Sequence, residues 1–438
     1  MQATLRSIWA KHTLHFVRND NASKMNEATK YTIRALVCLM LCFGMAKAHA
    51  QECGCTDPRA LNYNPSATVN DGSCVYEQTT VIPYFTTALS DTLNGTSGLV
   101  FFDEMLFTHN DHYDQSLFLI DTTDAHIIEQ LQFSGILFQD VEDCDHDSLY
   151  VYLGDMGNNN SGNRTDLHFL RILKSSQHCD NPIIDTIWFS YADQTDFSPQ
   201  QGNTTDFDCE AFVVVGDSIY LFTKQWTTQH TVLYAMPKTP GMHVAHRKSE
   251  YAVNGLVTSA CYLLESQQIV LSGYSSLLQP FVVLLYDYSG NDFFSGNKRK
   301  ISLDLPFHQV EAIAHRGAYH FFLTNEYISQ NGVSITAKFH KLDLSNYLVP
   351  ITPESLSEWQ ENQGFELFPN PTDDVLYIDG LPFDSGRYEI YNGMGQLVQK
   401  GQCGRGMNMI RLDSLTSGIY FIKVRAEGMN RVKSFVIK

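Results

Sequence analysis

Carboxylates set two residues apart, or one beside an amide, immediately before an apolar run, recur along this 438-residue chain. Asp208 and Glu210 precede AFVVVGDSIYLFTK, Asp140 and Glu142 precede a second such run, and Glu311, two residues after Gln309, opens a third. Residues two apart on a strand share a face, so each pair points to one side. Carboxylates gathered from several strands cannot all stay ionised uncompensated. Either some hold their protons or a cation sits among them. Calcium or magnesium suits an all-oxygen set, and calcium is the cofactor these residues suggest. The competing reading is that each acid accepts hydrogen bonds from neighbouring backbones or an arginine and so fastens strand to strand. Both readings stand at this level.

Other chemistry is sparsely represented. There is no G-x-S-x-G elbow, no H-E-x-x-H helix, no P-loop and no G-x-G-x-x-G after a strand. The 16 histidines are dispersed, and His109 with His112, beside Asp111 and Asp114, is the single close pair in a polar loop. That pair suits a metal contact, with a solvated turn as the simpler account. The stretch GDMGNNNSGNR (154–164) is rich in residues that adopt left-handed backbone easily. Asp155 and its asparagines carry calcium-type oxygens, and a decorated turn explains them equally. Of the ten cysteines, none forms a C-x-x-C pair, so a redox motif or zinc ribbon finds no support.

The elements that would position the acids repeat. Five segments, starting at Gly98, Asp140, Asp208, Ser259 and Gln309, share an apolar strand, a turn and a second aromatic-rich strand. Third strands follow at SLFLID, TVLYAM, FVVLLYDY and AKFHKLDL, and fourth strands at IIEQLQF, DTIWFSY and KRKISLDL. A repeat of roughly fifty residues made only of strands and turns fits β-propeller blades. The fold class read from the chain is therefore all-β: a five-bladed propeller over 78–349, with six blades as the alternative. The strand VIPYFTT (81–87) is left over to complete the last blade and close the ring. The innermost strands would then line a channel holding Asp140, Glu142, Asp208, Glu210 and Glu311.

The two ends carry different signals. Residues 35–50 form an apolar run closing on Ala48-His49-Ala50, too short to span a bilayer comfortably, and read as a cleaved export signal ending near Ala50. Met25 is an alternative start. No second long apolar segment follows, so no transmembrane span is expected. Next, CGCTDPRALNYNPSATVNDGSC (53–74) is too short to build a core and reads as a module within 51–77 stapled by a disulfide, most simply Cys55 to Cys74. Its Asp57, Asn70 and Asp71 offer oxygens of the kind calcium prefers, or merely shape turns. The C-terminal 365–438, opening FELFPNPTDDVLYIDGL, alternates apolar residues between Asn, Gly and Asp turns, as a small antiparallel sandwich does. The polar stretch 350–364 reads as the linker before it.

Three resemblances rest on these residues. The segment C-T-D-P-x-A-x-N-Y-N-P followed by N-D-G-S-C is similar to the Cys-flanked, calcium-type (thrombospondin type 3-like) repeats of exported Bacteroidetes proteins. Pro369-Asn370-Pro371, the Ile390-Tyr391-Asn392 turn through Gly395, Ser417-Gly418-Ile419-Tyr420 and the terminal Lys438 resemble the type IX secretion C-terminal sorting domain. That resemblance implies export through the secretion machinery, removal of the domain, and attachment to the cell surface or release. The acidic strand starts with the G-D-x-G-x-N turn resemble uncharacterised exported propellers and, more distantly, esterase-like or phytase-like ones. The last of these hold calcium in acidic channels and hydrolyse phosphate esters. Here only Arg164, Lys224 and Arg316 accompany the acids as phosphate-gripping candidates, a departure from that pattern.

Charge narrows the partners. With a net charge of −18 and scattered lysines and arginines, the surface repels phosphate backbones, which excludes nucleic acid. The reading that results is a secreted or surface-held propeller that binds an extracellular glycan, protein or small molecule, with calcium sites. A metal-dependent ester or phosphoester hydrolase and a structural envelope or adhesion component are the alternatives.

Overall fold

The computed structural model describes residues 51–348 and 365–438, apart from short breaks at 112–115, 134–135, 137, 180, 265, 331–332, 382–384, 393–396, 413–414 and 427–428. The export signal, Met25, the linker 350–364, His112, Asp114 and Gly395 lie outside the described residues. Strands dominate. Helix among the described residues is limited to the single turns Asp91–Leu93 and Lys174–Ser176. No helix there is long and apolar enough to cross a membrane, which says nothing of crossing by strands.

The long central region is built of five antiparallel units, the first four each a meander in chain order. The first runs Thr96–Phe102, Met105–Asn110, Ser116–Ile120 and Ile127–Gln132. The second runs Val141–His146, Tyr150–Asp155, His168–Leu173 and Ile184–Tyr191, and the third Cys209–Val215, Ser218–Thr223, Thr231–Pro237 and Gly241–Tyr251. The fourth comprises Leu256–Leu263, Gln268–Tyr274, Pro280–Tyr286 and Asn297–Leu303. The fifth comprises Val310–Gly317, His320–Asn325 and Lys338–Asp343, and its last strand, Phe85–Ala88, comes from the start of the chain. The leftover segment of the sequence thus divides. Thr80–Val81 adds in parallel to the outer strand of the fourth unit, and Phe85–Ala88 completes the fifth.

Burial shows why the units associate. Their first two strands are buried along most of their length, as in SIYLFT of the third unit and QIVLSGY of the fourth, and so are covered on both sides. Each side packs against a neighbouring unit, so every buried cluster is shared by two of them. Phe169 and Phe212 meet between the second and third units, and Val270 and Phe321 between the fourth and fifth. Phe118 and Phe322 meet between the first and the fifth, which closes the circle. The first strands contact one another in the same cyclic order. Two strands passed over in the sequence, His168–Leu173 and Gly241–Tyr251, complete the second and third units. The outer strands of those units pair in parallel, Ile187–Tyr191 against Gly241–Ala245, making one eight-stranded sheet.

The C-terminal residues form two antiparallel sheets. One holds Glu366–Phe368, Val375–Asp379 and Asn408–Arg411. The other holds Leu397–Cys403, Gly386–Asn392, Gly418–Ala426 and Met429–Ile437. Leu376 and Ile378 of the first share one buried cluster with Ile390, Ile422 and Phe435 of the second. At the other end, Cys55 and Cys74 are joined by a disulfide.

Candidate functional site

All five inner strands depart from regular pairing at the same place, one or two residues after their start. The unpaired residues are Ser97 with Gly98, then Glu142, Glu210, Thr258 and Glu311. A bulge inserts an extra residue and re-aims its side chain. Of the unpaired residues, Thr258 Oγ1 donates to the Val310 carbonyl at 2.8 Å, while Ser97, Glu142, Glu210 and Glu311 meet at one end of the ring, around a cavity of about 190 Å³. Glu142, Glu210 and Glu311 line it together with Ser97, Asp111, Asn159, Asn203, Lys224, Trp226, Gln309 and Glu326. The three glutamates read from the sequence therefore come together. Asp140 and Asp208 are buried but do not line the cavity.

Lys224 supplies the counter-charge at the centre. Its ammonium donates to Glu210 and lies 4.0 Å from Glu311, with its side chain 3% exposed. It also sits over the rings of Trp226 and Tyr274, at 4.7 and 5.2 Å from their centroids. Burial works against this ammonium, but Glu210 and Glu311 outweigh it and hold Lys224 protonated. Burial pushes the Glu142 carboxyl well above the usual range, and Glu210, Asp140 and Asp208 add to the push. Glu311 is also raised by burial, although Lys224 and a 2.6 Å hydrogen bond from Gln309 pull it back.

Asp140 and Asp208 serve the loop 154–164. Asp208 accepts the Asn158 N–H at 2.7 Å and the Trp226 indole N–H at 2.7 Å, so one carboxylate positions both loop and wall. The Asp140 carbonyl accepts the N–H groups of Met156 and Gly157, both at 3.1 Å. A Cβ on Gly157 would lie 2.2 Å from Glu142 Oε1 and 2.4 Å from Asp140 Oδ2, so only glycine allows the loop this close. Arg164 pins the loop from the other side, donating to Asp155 Oδ1 at 2.7 Å, the Gly157 carbonyl at 2.8 Å and Asp166 at 3.0 Å. Asp155 also accepts the N–H of Gln139 at 2.8 Å. The Asp155 carboxylate, the Asn158 amide oxygen and the guanidinium of this loop are spent on bracing it. Arg316 is exposed five residues beyond Glu311 on the same strand, about 16 Å along it.

Strand-to-strand fastening falls to two acids the sequence reading passed over. Asp143 is fully buried and accepts from Ser259 Oγ at 2.9 Å and from the N–H groups of Cys144, Phe212 and Ala260 at 3.0, 3.3 and 3.2 Å. It thereby ties the second, third and fourth inner strands, and the Ile313 N–H reaches Ser259 Oγ from the fifth. Asp145 accepts the Val214 N–H at 2.7 Å. Alternate acids inside a strand were the available signal. Trp226, Asn159 and Asn203 carry no such mark, because only the folded loops bring them to the cavity.

The remaining candidates lie elsewhere. Asp57, Asn70 and Asp71 belong to the stapled segment, where Asp57 and Asn70 make contacts with the fourth unit. Among the described residues, Asp121, Asp124 and His126 are the group whose three ligand atoms lie within 4.8 Å of one another.

Comparison with known proteins bears on the C-terminal end more than the site. Residues 366–438 match the family described as Secretion system C-terminal sorting domain, so the chain carries a type IX sorting tail and is exported. No curated protein matches the chain. Solved structures similar to it include Myxococcus xanthus glutaminyl cyclase, at 12% identity over 61% of this chain and 99% of that one, with a TM-score of 0.37. An exo-β-1,3-galactanase from Phanerochaete chrysosporium is 9% identical over 84% of this chain and 97% of that one, with a TM-score of 0.32. Likenesses of this size carry no functional argument.

Proposed function

We propose that the chain is an exported five-bladed β-propeller, followed by a sorting-domain sandwich, whose ring-mouth cavity binds a small organic ligand bearing an ammonium group. The balance of the lining carries this reading: five carboxyl groups, Asp111, Glu142, Glu210, Glu311 and Glu326, face one ammonium, that of Lys224. An anionic ligand would meet like charge in a partly desolvated space, whereas a cation or N–H donor meets acceptors on most sides and an indole wall. The volume is that of roughly six water molecules, which suits a single small molecule or one residue of a peptide.

An inorganic dication fits the mouth less well. Calcium draws its oxygens to about 2.3–2.6 Å, which requires ligand atoms close to one another. Among the described residues, the grouping that meets such a limit lies at Asp121, Asp124 and His126. Phosphoester chemistry also lacks its grip, since Lys224 is held by Glu210 and Arg164 by Asp155 and Asp166. The reading is therefore of a binding protein.

Four ligands of one size test it: propylamine, propionamide, propanol and propionate, titrated at pH 7.5 and followed by the difference in fluorescence between the protein and its Trp226→Phe variant. Propylamine should bind tightest and release a proton on binding, and Glu142→Gln should weaken it about tenfold. Preference for propionate, or stabilisation by calcium that chelation reverses and Glu210→Gln abolishes, would sink the reading.

A further inference from the structure

Residues 53–88 lie across the seam where the ring closes. Their strands add to the fourth unit and complete the fifth, as described above. Ahead of those strands, the stapled segment docks on the same two units. Thr56 Oγ1 and Asn70 Nδ2 donate to Asp287 Oδ2 at 2.9 and 2.8 Å, and Asn70 Nδ2 also reaches Asn297 Oδ1 at 3.0 Å. Gly72 has φ +71° and approaches so closely that a Cβ would lie 2.7 Å from the Ser295 carbonyl.

Asp57 and Arg59 form the centre of this contact. Asp57 is 6% exposed, and its carboxylate accepts from Tyr286 OH at 2.6 Å, Tyr76 OH at 3.0 Å, and Arg59 Nε and Nη2 at 3.1 Å each. Burial opposes the charge, but the hydrogen bonds from Arg59 and Tyr286 outweigh it and bring the carboxyl down to about 2. The other arm of Arg59 donates to the carbonyls of Tyr347 at 2.8 Å and Leu348 at 3.2 Å. Those are the last described residues before the linker to the sorting tail. One side chain thus joins the beginning of the central region to its end. The oxygens that suggested calcium are committed to protein donors, Asp71 Oδ1 to the Ser73 N–H at 3.0 Å among them.

We infer that the Cys55–Cys74 segment is a redox-dependent clasp that locks the ring seam once the chain has been exported. In a reducing compartment the two thiols stay apart, and the segment, too small for a core, lacks the crosslink that braces its Asp57–Arg59 turn. Outside, the thiols lose two electrons and two protons to a disulfide exchange partner, which is reduced to its dithiol, and the S–S bond forms. The folded segment then seats Arg59 on the exit carbonyls and Tyr76 against Tyr286. Closure at the seam is completed once the chain has left the reducing compartment. This role is independent of what the mouth cavity binds.

Hydrogen exchange of the mature exported chain, read by peptide mass spectrometry in oxidised and reduced states, tests the clasp. Reduction, or Cys55→Ser with Cys74→Ser, should speed exchange about tenfold or more in 80–88 and 338–348 and leave 211–222 unchanged. Arg59→Ala, with the disulfide intact, should loosen 344–348 alone, which keeps the test open should the double variant fold poorly. Calcium or a chelator should alter none of these segments. Unchanged exchange at the seam on reduction would overturn the inference, as would acceleration spread evenly over the ring or a chelator effect equal to that of reduction.

Discussion

Lys224 decides the electrostatics of the mouth because it is the one cation among its lining residues. Removing it leaves Glu210 and Glu311 buried beside Glu142 with no counter-charge. Breaking one side of a buried pair costs about 3–5 kcal/mol, since the remaining charge stays desolvated. Protonation relieves that cost, so the penalty depends on pH. Lys224→Met should destabilise the protein by that amount at pH 8 in urea unfolding, and by clearly less at pH 5. An equal loss at both would mean that Lys224 acts through packing alone.

Bulges and one loop do at the element scale what no single residue does. Five inner strands bulge at equivalent points, so the ring presents Ser97, Glu142, Glu210 and Glu311 together at one end, and the loop 154–164 leans over them. The loop is held by Asp208, Asp140 and Arg164, and its closest approach is Gly157. A side chain there must push the loop away from Glu142. Gly157→Val should cost about 1–3 kcal/mol, accelerate hydrogen exchange in 156–164, and weaken amine binding while the sheets remain protected. Protection of 156–164 equal to that of the parent would show that the loop is not seated by this contact.

The whole ring responds to pH through the acids that fasten it. Burial pushes Asp145 up to about 7 from an unfolded value of 3.8. Its folded form binds the proton more tightly, so its contribution is fully present below about 4 and is lost as pH rises through about 7. His146 works in the opposite direction. Burial and Lys174 push it down to about 4, so its share of stability grows between pH 4 and 6.5. Comparing Asp145→Asn with its parent cancels the histidine. The melting temperature of the variant relative to the parent should rise by about 2–4 °C between pH 4.5 and 7.5, and a constant difference would show that Asp145 stays charged throughout.

The sequence by itself determined the all-β character, the stapling of Cys55 to Cys74 and the sorting tail. Each rests on short-range signals: alternation, turn residues and local spacing. It also marked Glu142, Glu210 and Glu311, because an acid entering an apolar strand is visible without any partner. The tertiary structure decided what those acids face. Lys224, marked in the sequence as a phosphate-gripping candidate, becomes a counter-charge only when the third unit turns it toward Glu210, and Trp226 and the loop carrying Asn159 become walls only when Asp208 holds Trp226 and Asn158. It also decided which acids fasten the ring, since Asp143 meets its donors, Phe212 and Ala260, only across more than sixty residues of chain. Contacts of that separation leave no periodic trace. They follow from closing the circle, and that closure belongs to the packing of whole sheets.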